Sequence, residues 1–350
     1  MLKIWSIFNF KQKIELISIS FLVFFNTALE AISISFFIPI VVSLTNNNLA
    51  ELYPQFSNIM IFFSDQLSTN TINSSLILFG ITIVIKNVFQ IFIDYKEIKF
   101  LITIQEGTSQ RLLKKYLNNN YNFHLENKSA DLITKIRNET RFFSEGVSSF
   151  YGIIAETILI AGLAILLFYF AYEVTLISLI TIFIFSLIFV KIVNKQVVRH
   201  SQKRADLEFK KHQLAQESIQ GVREIIISNI INQVVDKYII FSNNFAKSVS
   251  VYALILKIPK IYFELLILIM ITTTMFVISN YVKDVNYALI LPTLTLYAAA
   301  GFRLLPSANR FINFIQRLKW TTPSINQVYK ELLNEKSNMK ISEKVKIKKI

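Results

Sequence analysis

Cysteine is absent from the 350 residues. That excludes disulfides, thiolate metal sites and a cysteine nucleophile. The three histidines, His124, His200 and His212, are scattered and form no HExxH spacing, so no metal site is expected. The seven glycines, Gly80, Gly107, Gly146, Gly152, Gly162, Gly221 and Gly301, form neither GxGxxG nor GxxxxGK(S/T). These residues therefore hold no phosphate-cradling loop of their own. Charge is scarce as well: Asp, Glu, Lys and Arg make up 17%, where soluble domains carry about a quarter. An ordinary soluble protein is excluded.

Apolar side chains are abundant. Hydrophobic residues reach 53%, Phe alone counts 31, and mean hydropathy is +0.47. Uncharged runs cover Val174–Val190, Leu265–Val282 and Val285–Phe302. A bilayer core takes about 20 helical residues, and six stretches supply that: 16–44, 74–98, 147–171, 174–194, 258–282 and 285–312. The expected fold is an all-α membrane protein of six transmembrane helices with long cytoplasmic helical extensions. The first stretch, from Leu16 to Leu44, exceeds the 7–15 residues of a signal-peptide core, so it is expected to be retained as a span. Ahead of it, Leu2, Ile4, Trp5 and Phe8 suit a short interfacial helix. The expected divisions are 1–13 interfacial, 14–330 six-helix membrane domain and 331–350 linker.

The formal charge of +14 is uneven. Lys and Arg number three in the N-terminal segment, seven in 104–146, twelve in 191–260 and eleven in 303–350, but none in 45–73 and only Lys283 in 279–288. By the positive-inside rule both termini and both long connections face the cytoplasm, as in a bacterial inner membrane protein. The charge is thereby accounted for without nucleic acid.

Neither long connection reads as a loop. Residues 104–146 and 195–250 hold no proline and few glycines, Gly107 and Gly146 in the first and Gly221 in the second, and unstructured loops of that length are uncommon. Two antiparallel helices of about 20–25 residues in each would project about 30–38 Å. Leu207, Leu214, Gly221 and Ile225 recur as one helix face does. Asn118-Asn119-Asn120 is the expected first turn, with Ser129 as N-cap of the next helix. Ser228-Asn229 and Asn232-Gln233 mark the second turn. The apolar run Ile225-Ile226-Ile227 with Ile230-Ile231 lies at that far tip and suggests docking into a protein surface.

Certain segments resemble the membrane domain of ABC exporters. Tyr116 to Phe123 with Asn127 to Ile133, and Gln216 to Ile226, are similar to the segments around that family's two coupling loops. Phe302-Arg303-Leu304-Leu305-Pro306-Ser307-Ala308-Asn309-Arg310 and Pro259-Lys260-Ile261-Tyr262-Phe263-Glu264 resemble lipid-linked oligosaccharide flippases of the ABC type. The resemblance implies a dimer of membrane halves, alike or different, and a nucleotide-binding ATPase domain or subunit. It also implies ATP and magnesium bound by that partner, with no cofactor in this chain and no bond-breaking residue. Tyr121, Phe123, His124, Asn229, Ile230, Ile231 and Asn232 would then couple to the ATPase. Met339 to Ile350 alternates apolar and charged residues, a strand pattern similar to the first strand of that ATPase domain. A split or truncated half is therefore an expectation.

Charges inside apolar helices cost about 2.5–3.5 kcal/mol each on insertion scales. Lys86, Lys260, Arg303 and Arg310 are the candidates for binding an anionic head group, and by resemblance they match positions where the flippases place Arg. Arg binds phosphate through two donors, Lys as a point charge. An alternative stays open: internal pairing with Glu30, Asp94, Glu156 and Glu264. Two other functions also stay open, a non-transporting membrane scaffold and an ion-coupled transporter with Glu30, Asp94 or Glu156 as proton site.

Overall fold

The computed structural model describes residues 2–36, 71–170, 172–281 and 287–333, with some side chains inside these helices left out. Pro39, Lys283, the end of the first expected span and the alternating segment 339–350 lie outside the described residues, as do the side chains of Pro292 and Arg303. Every described element is helical: α1 (Leu2–Ile7), α2 (Phe10–Ser35), α3 (Thr71–Leu117), α4 (Tyr121–Glu126), α5 (Ser129–Thr134), a π-helical turn (Lys135–Glu139), α6 (Thr140–Phe170), α7 (Tyr172–Gln220), α8 (Val222–Ile227), α9 (Ile231–Tyr281), α10 (Tyr287–Trp320) and α11 (Thr322–Leu333).

Four helical stretches among the described residues are long and apolar enough to cross a membrane: Phe10–Ser33, Leu76–Leu117, Asp131–Leu166 and Ile231–Leu265. The expected stretches 174–194 and 285–312 fall in α7 and α10, with many of their side chains outside the described residues. The helices run well past a bilayer thickness. The 47 residues of α3 extend for about 70 Å at 1.5 Å per residue.

Two groups of helices form. In one, α6 is central, packing most extensively on α10 and also on α2 and α3; in the other, α7 and α9 form a long antiparallel pair that leans on α10. The sequence explains the first group. Gly146, Gly152 and Gly162 lie along α6, and a methyl at each would stand within 2.9 Å of a neighbour: Ile325 and Thr321, Phe314, and Thr27 respectively. Small residues thus admit three partners to one helix.

Near the N-terminus, the Gln12 side chain accepts from the Asn9 backbone N–H at 2.9 Å, the return half of a capping box. This sets the corner between α1 and α2. Ile4, Ile7 and Phe8 then face inward into the main apolar core, while Trp5 and Phe10 are exposed. The C-terminal α11 lies across this base: Lys3 donates to Asn326 at 2.6 Å and stands 5.4 Å over the Tyr329 ring.

Two sequence expectations need correcting. Ser129 is the first helical residue of α5 and not its cap; Lys128 holds that position without a side-chain bond. The capping side chain is Asn120, which accepts from Phe123 N–H at the start of α4. Asn232 and Gln233 are already inside α9, so they do not turn the chain.

Candidate functional site

The second tip is made by Ser228-Asn229-Ile230 between α8 and α9. Asn229 has φ 52°, the left-handed region that Asn tolerates better than other side-chain-bearing residues. The turn closes through Ile230 N–H to Ile225 C=O at 3.2 Å. It splits the isoleucine run: Ile225 and Ile230 are half-buried, while Ile226 (59%), Ile227 (73%) and Ile231 (48%) are exposed. Asn232 is exposed beside them. We expect Asn229→Val to destabilise this tip by about 1–2 kcal/mol, read as faster amide exchange over 226–231, whereas Asn229→Gly should leave exchange unchanged.

The first tip is the short helix α4. Tyr121 is 75% exposed and His124 is exposed too. Phe123 instead turns inward, stacked on Tyr116 with ring centroids 5.9 Å apart. Phe123 therefore anchors the tip that presents its neighbours. The two excursions are joined: Lys128 Nζ donates to Glu217 Oε1 at 2.8 Å. That bond, with a second from Gln213, holds the Glu217 carboxyl below its ordinary range. Both partners are half exposed, so the pair contributes no more than about 1 kcal/mol.

The charges within the apolar helices come together in part. Lys86 of α3 stands 3.9 Å from Glu30 of α2, with both side chains largely covered. Arg310 of α10 meets Glu156 of α6 in a two-point contact, Nε to Oε1 and Nη2 to Oε2, and Nη2 also donates to Ser307 at 2.9 Å. The two pairs, Lys86–Glu30 and Arg310–Glu156, come from four helices that pack on one another, α2, α3, α6 and α10. Lys260 stands apart on α9, 70% exposed and 3.8 Å from Glu264. Arg303 is two helical turns from Arg310 on α10, with its side chain outside the described residues. Asp94 accepts from Gln90 at 2.7 Å, and Gln90 accepts from Asn26 at 2.7 Å. This polar seam fixes α2 against α3 beneath the Lys86–Glu30 pair.

Two arrangements were not foreseen from the sequence. Arg204, 1% exposed, bonds Glu208 at 3.1 Å and Ser324 at 3.4 Å, with its guanidinium carbon 3.8 Å from the Phe142 ring centroid. Burial lowers its pKa, opposed by the charges of Glu208 and Glu139. The i, i+4 spacing of Arg204 and Glu208 was the available signal; the partners from other helices left none. The second is Glu331 of α11, which bonds Lys115 of α3 and Lys135 of the π-helical turn, the latter at 3.2 Å. It ties the C-terminal helix to the first excursion close to its tip.

Long apolar helices, turned tips and a charged cluster across helices are features that many transporters share, so lineage rests on sequence comparison. The family model of the ABC transporter transmembrane region matches residues 16–300, which is most of the chain and includes both tips. The protein belongs to the family of ABC transporter transmembrane regions.

Proposed function

We propose that this chain is the six-span membrane half of an ATP-driven ABC exporter or flippase in a bacterial inner membrane, moving an amphipathic anionic substrate such as a lipid-linked saccharide. Two such halves, alike or different, work as a dimer, and a partner ATPase domain or subunit supplies ATP and magnesium. The observation that carries this reading is the pair of turned tips joined by Lys128–Glu217, with Ile226 and Ile227 exposed at the second. Apolar side chains at the end of a charged helical excursion are suited to a pocket on another protein. The cluster of Lys86 and Arg310 supports the anionic class of substrate, since a phosphate head group gains most from a fork of donors beside a point charge.

The test is ATP hydrolysis by the reconstituted complex in lipid nanodiscs. Ile227→Asp places a charge on a side chain that is 73% exposed, so the fold should survive. The expected result is at least a tenfold loss of substrate-stimulated ATPase activity, with the membrane half still inserted; such a loss corresponds to about 1.4 kcal/mol of coupling. Unchanged stimulation would overturn docking through this tip. Transport that survives ATP depletion but stops when the proton gradient is collapsed would favour ion coupling.

A further inference from the structure

Each cation of the intramembrane cluster already has an anion supplied from a different helix. We infer that Glu30 and Glu156 are resident counter-anions which a phosphate-bearing head group must displace from Lys86 and Arg310, so that these two carboxylates set affinity and select for anions strong enough to replace them. The inference rests on the proposed function, because it assigns Lys86 and Arg310 to the substrate.

The charges of the four groups cancel. An arriving phosphate adds negative charge to a site of low dielectric, where two anions on one cation repel strongly. It can be held only where a carboxylate gives up its place. A neutral head group has no means of breaking either pair, and it is rejected.

The two pairs are unequal. Glu156 engages Arg310 at two points and is mostly covered, while Arg310 itself is 41% exposed. Among the described residues, no acceptor meets the Arg310 Nη1. An anion therefore approaches Arg310 from the open side and competes with Glu156 for the fork. Glu30 stands 3.9 Å from Lys86, beyond normal hydrogen-bond length, and yields more readily. Glu156 is the stronger competitor, and its neutralisation has the larger effect.

The experiment is equilibrium binding of radiolabelled farnesyl pyrophosphate to the whole chain in nanodiscs, with inorganic pyrophosphate as a second probe. Glu156→Gln keeps the side chain's shape and removes its charge. It should tighten binding about tenfold, since a charge-assisted two-point contact no longer competes. Glu30→Gln should tighten it about threefold, in line with the longer separation of Glu30 from Lys86. Glu156→Asp, which shortens the side chain and keeps the charge, should fall between wild type and Glu156→Gln. Asp206→Asn, in an exposed pair with Lys210, serves as the unaffected control. Thermal unfolding of each variant identifies any that fail to fold, and Glu156→Asp then carries the comparison.

Binding that is lost in Arg310→Ala yet unchanged or weakened in both Glu156 variants overturns the inference and leaves the substrate assignment standing. Binding of neither probe, or binding indifferent to Lys86→Ala and Arg310→Ala, overturns the proposed head-group class and the inference with it. Equal affinity for inorganic pyrophosphate assigns the cluster to a free anion. The role of Glu156 then survives and the lipid assignment does not.

Discussion

Arg204→Ala is expected to destabilise the protein by about 3–5 kcal/mol, the range for removing one partner from a buried charge pair. Arg204 lies on α7 and pairs there with Glu208, and its remaining contacts belong to three other elements. The guanidinium covers the Phe142 ring of α6 and stands 5.3 Å from the Trp320 ring centroid at the end of α10, and it donates to Ser324 of α11. Alanine would leave Glu208 (7% exposed) and Glu139 (6%) as buried carboxylates without their cation. The loss would therefore exceed that of the hydrogen bonds alone. Arg204→Lys keeps the charge but not the planar stacking surface, and should recover less than half of the loss. Arg204→Met combined with Glu208→Gln, which removes both charges, should recover more than Arg204→Met alone. Simple additivity of the two changes would count against a charge-driven effect.

Intrinsic fluorescence suits the measurement. A chain without cysteine gives no signal to thiol-reactive dyes, and it has only two tryptophans, Trp5 and Trp320. Trp320 is stacked flat on Tyr252 of α9, with centroids 4.0 Å apart, and lies beside Arg204. Its emission reports directly on separation of the α7–α9 pair from α10.

What could be read in the sequence divides according to physical range. Helical content, apolar stretches and the turn at Asn118 to Asn120 arise from local composition and periodicity, and the helices follow them. The isoleucines at the second tip were legible as a cluster, but not which of them face out; that depends on the positive φ of Asn229. Ser129 shows the limit of local rules. It has the right residue type for a cap, yet it lies inside α5, whose cap position falls to Lys128 without a side-chain bond, while Asn120 caps the preceding helix α4. Candidate charges Lys86 and Arg310 were visible as costly residues in apolar helices. That Glu156, 154 positions from Arg310, would engage its guanidinium at two points is a long-range fact that no spacing encodes. The Arg204 contacts are of the same kind: only Glu208 is a sequence neighbour.

Substitutions at two sets of glycines should have opposite signs. Gly152 lies where α6 meets α10, and a methyl there would stand 2.5–2.6 Å from three atoms of the Phe314 ring. Since the ring must move to admit it, Gly152→Ala should cost about 1–3 kcal/mol, the range for overpacking. Gly152→Leu should cost more and part the two helices. Gly80 and Gly107 have nothing within 4 Å of the same methyl, and both lie inside α3. There alanine should gain about 0.5–1 kcal/mol from helix propensity alone. Thermal unfolding of the three alanine variants, followed by Trp320 emission, reads both signs in one experiment. Adding Phe314→Leu to Gly152→Ala removes part of the obstructing ring and should recover stability. Because alanine is the better helix former at every one of these sites, recovery would assign the cost to the α6–α10 contact. Losses that simply add would instead mean that Phe314 and Gly152 act apart, and that the close approach of the two helices does not depend on the glycine.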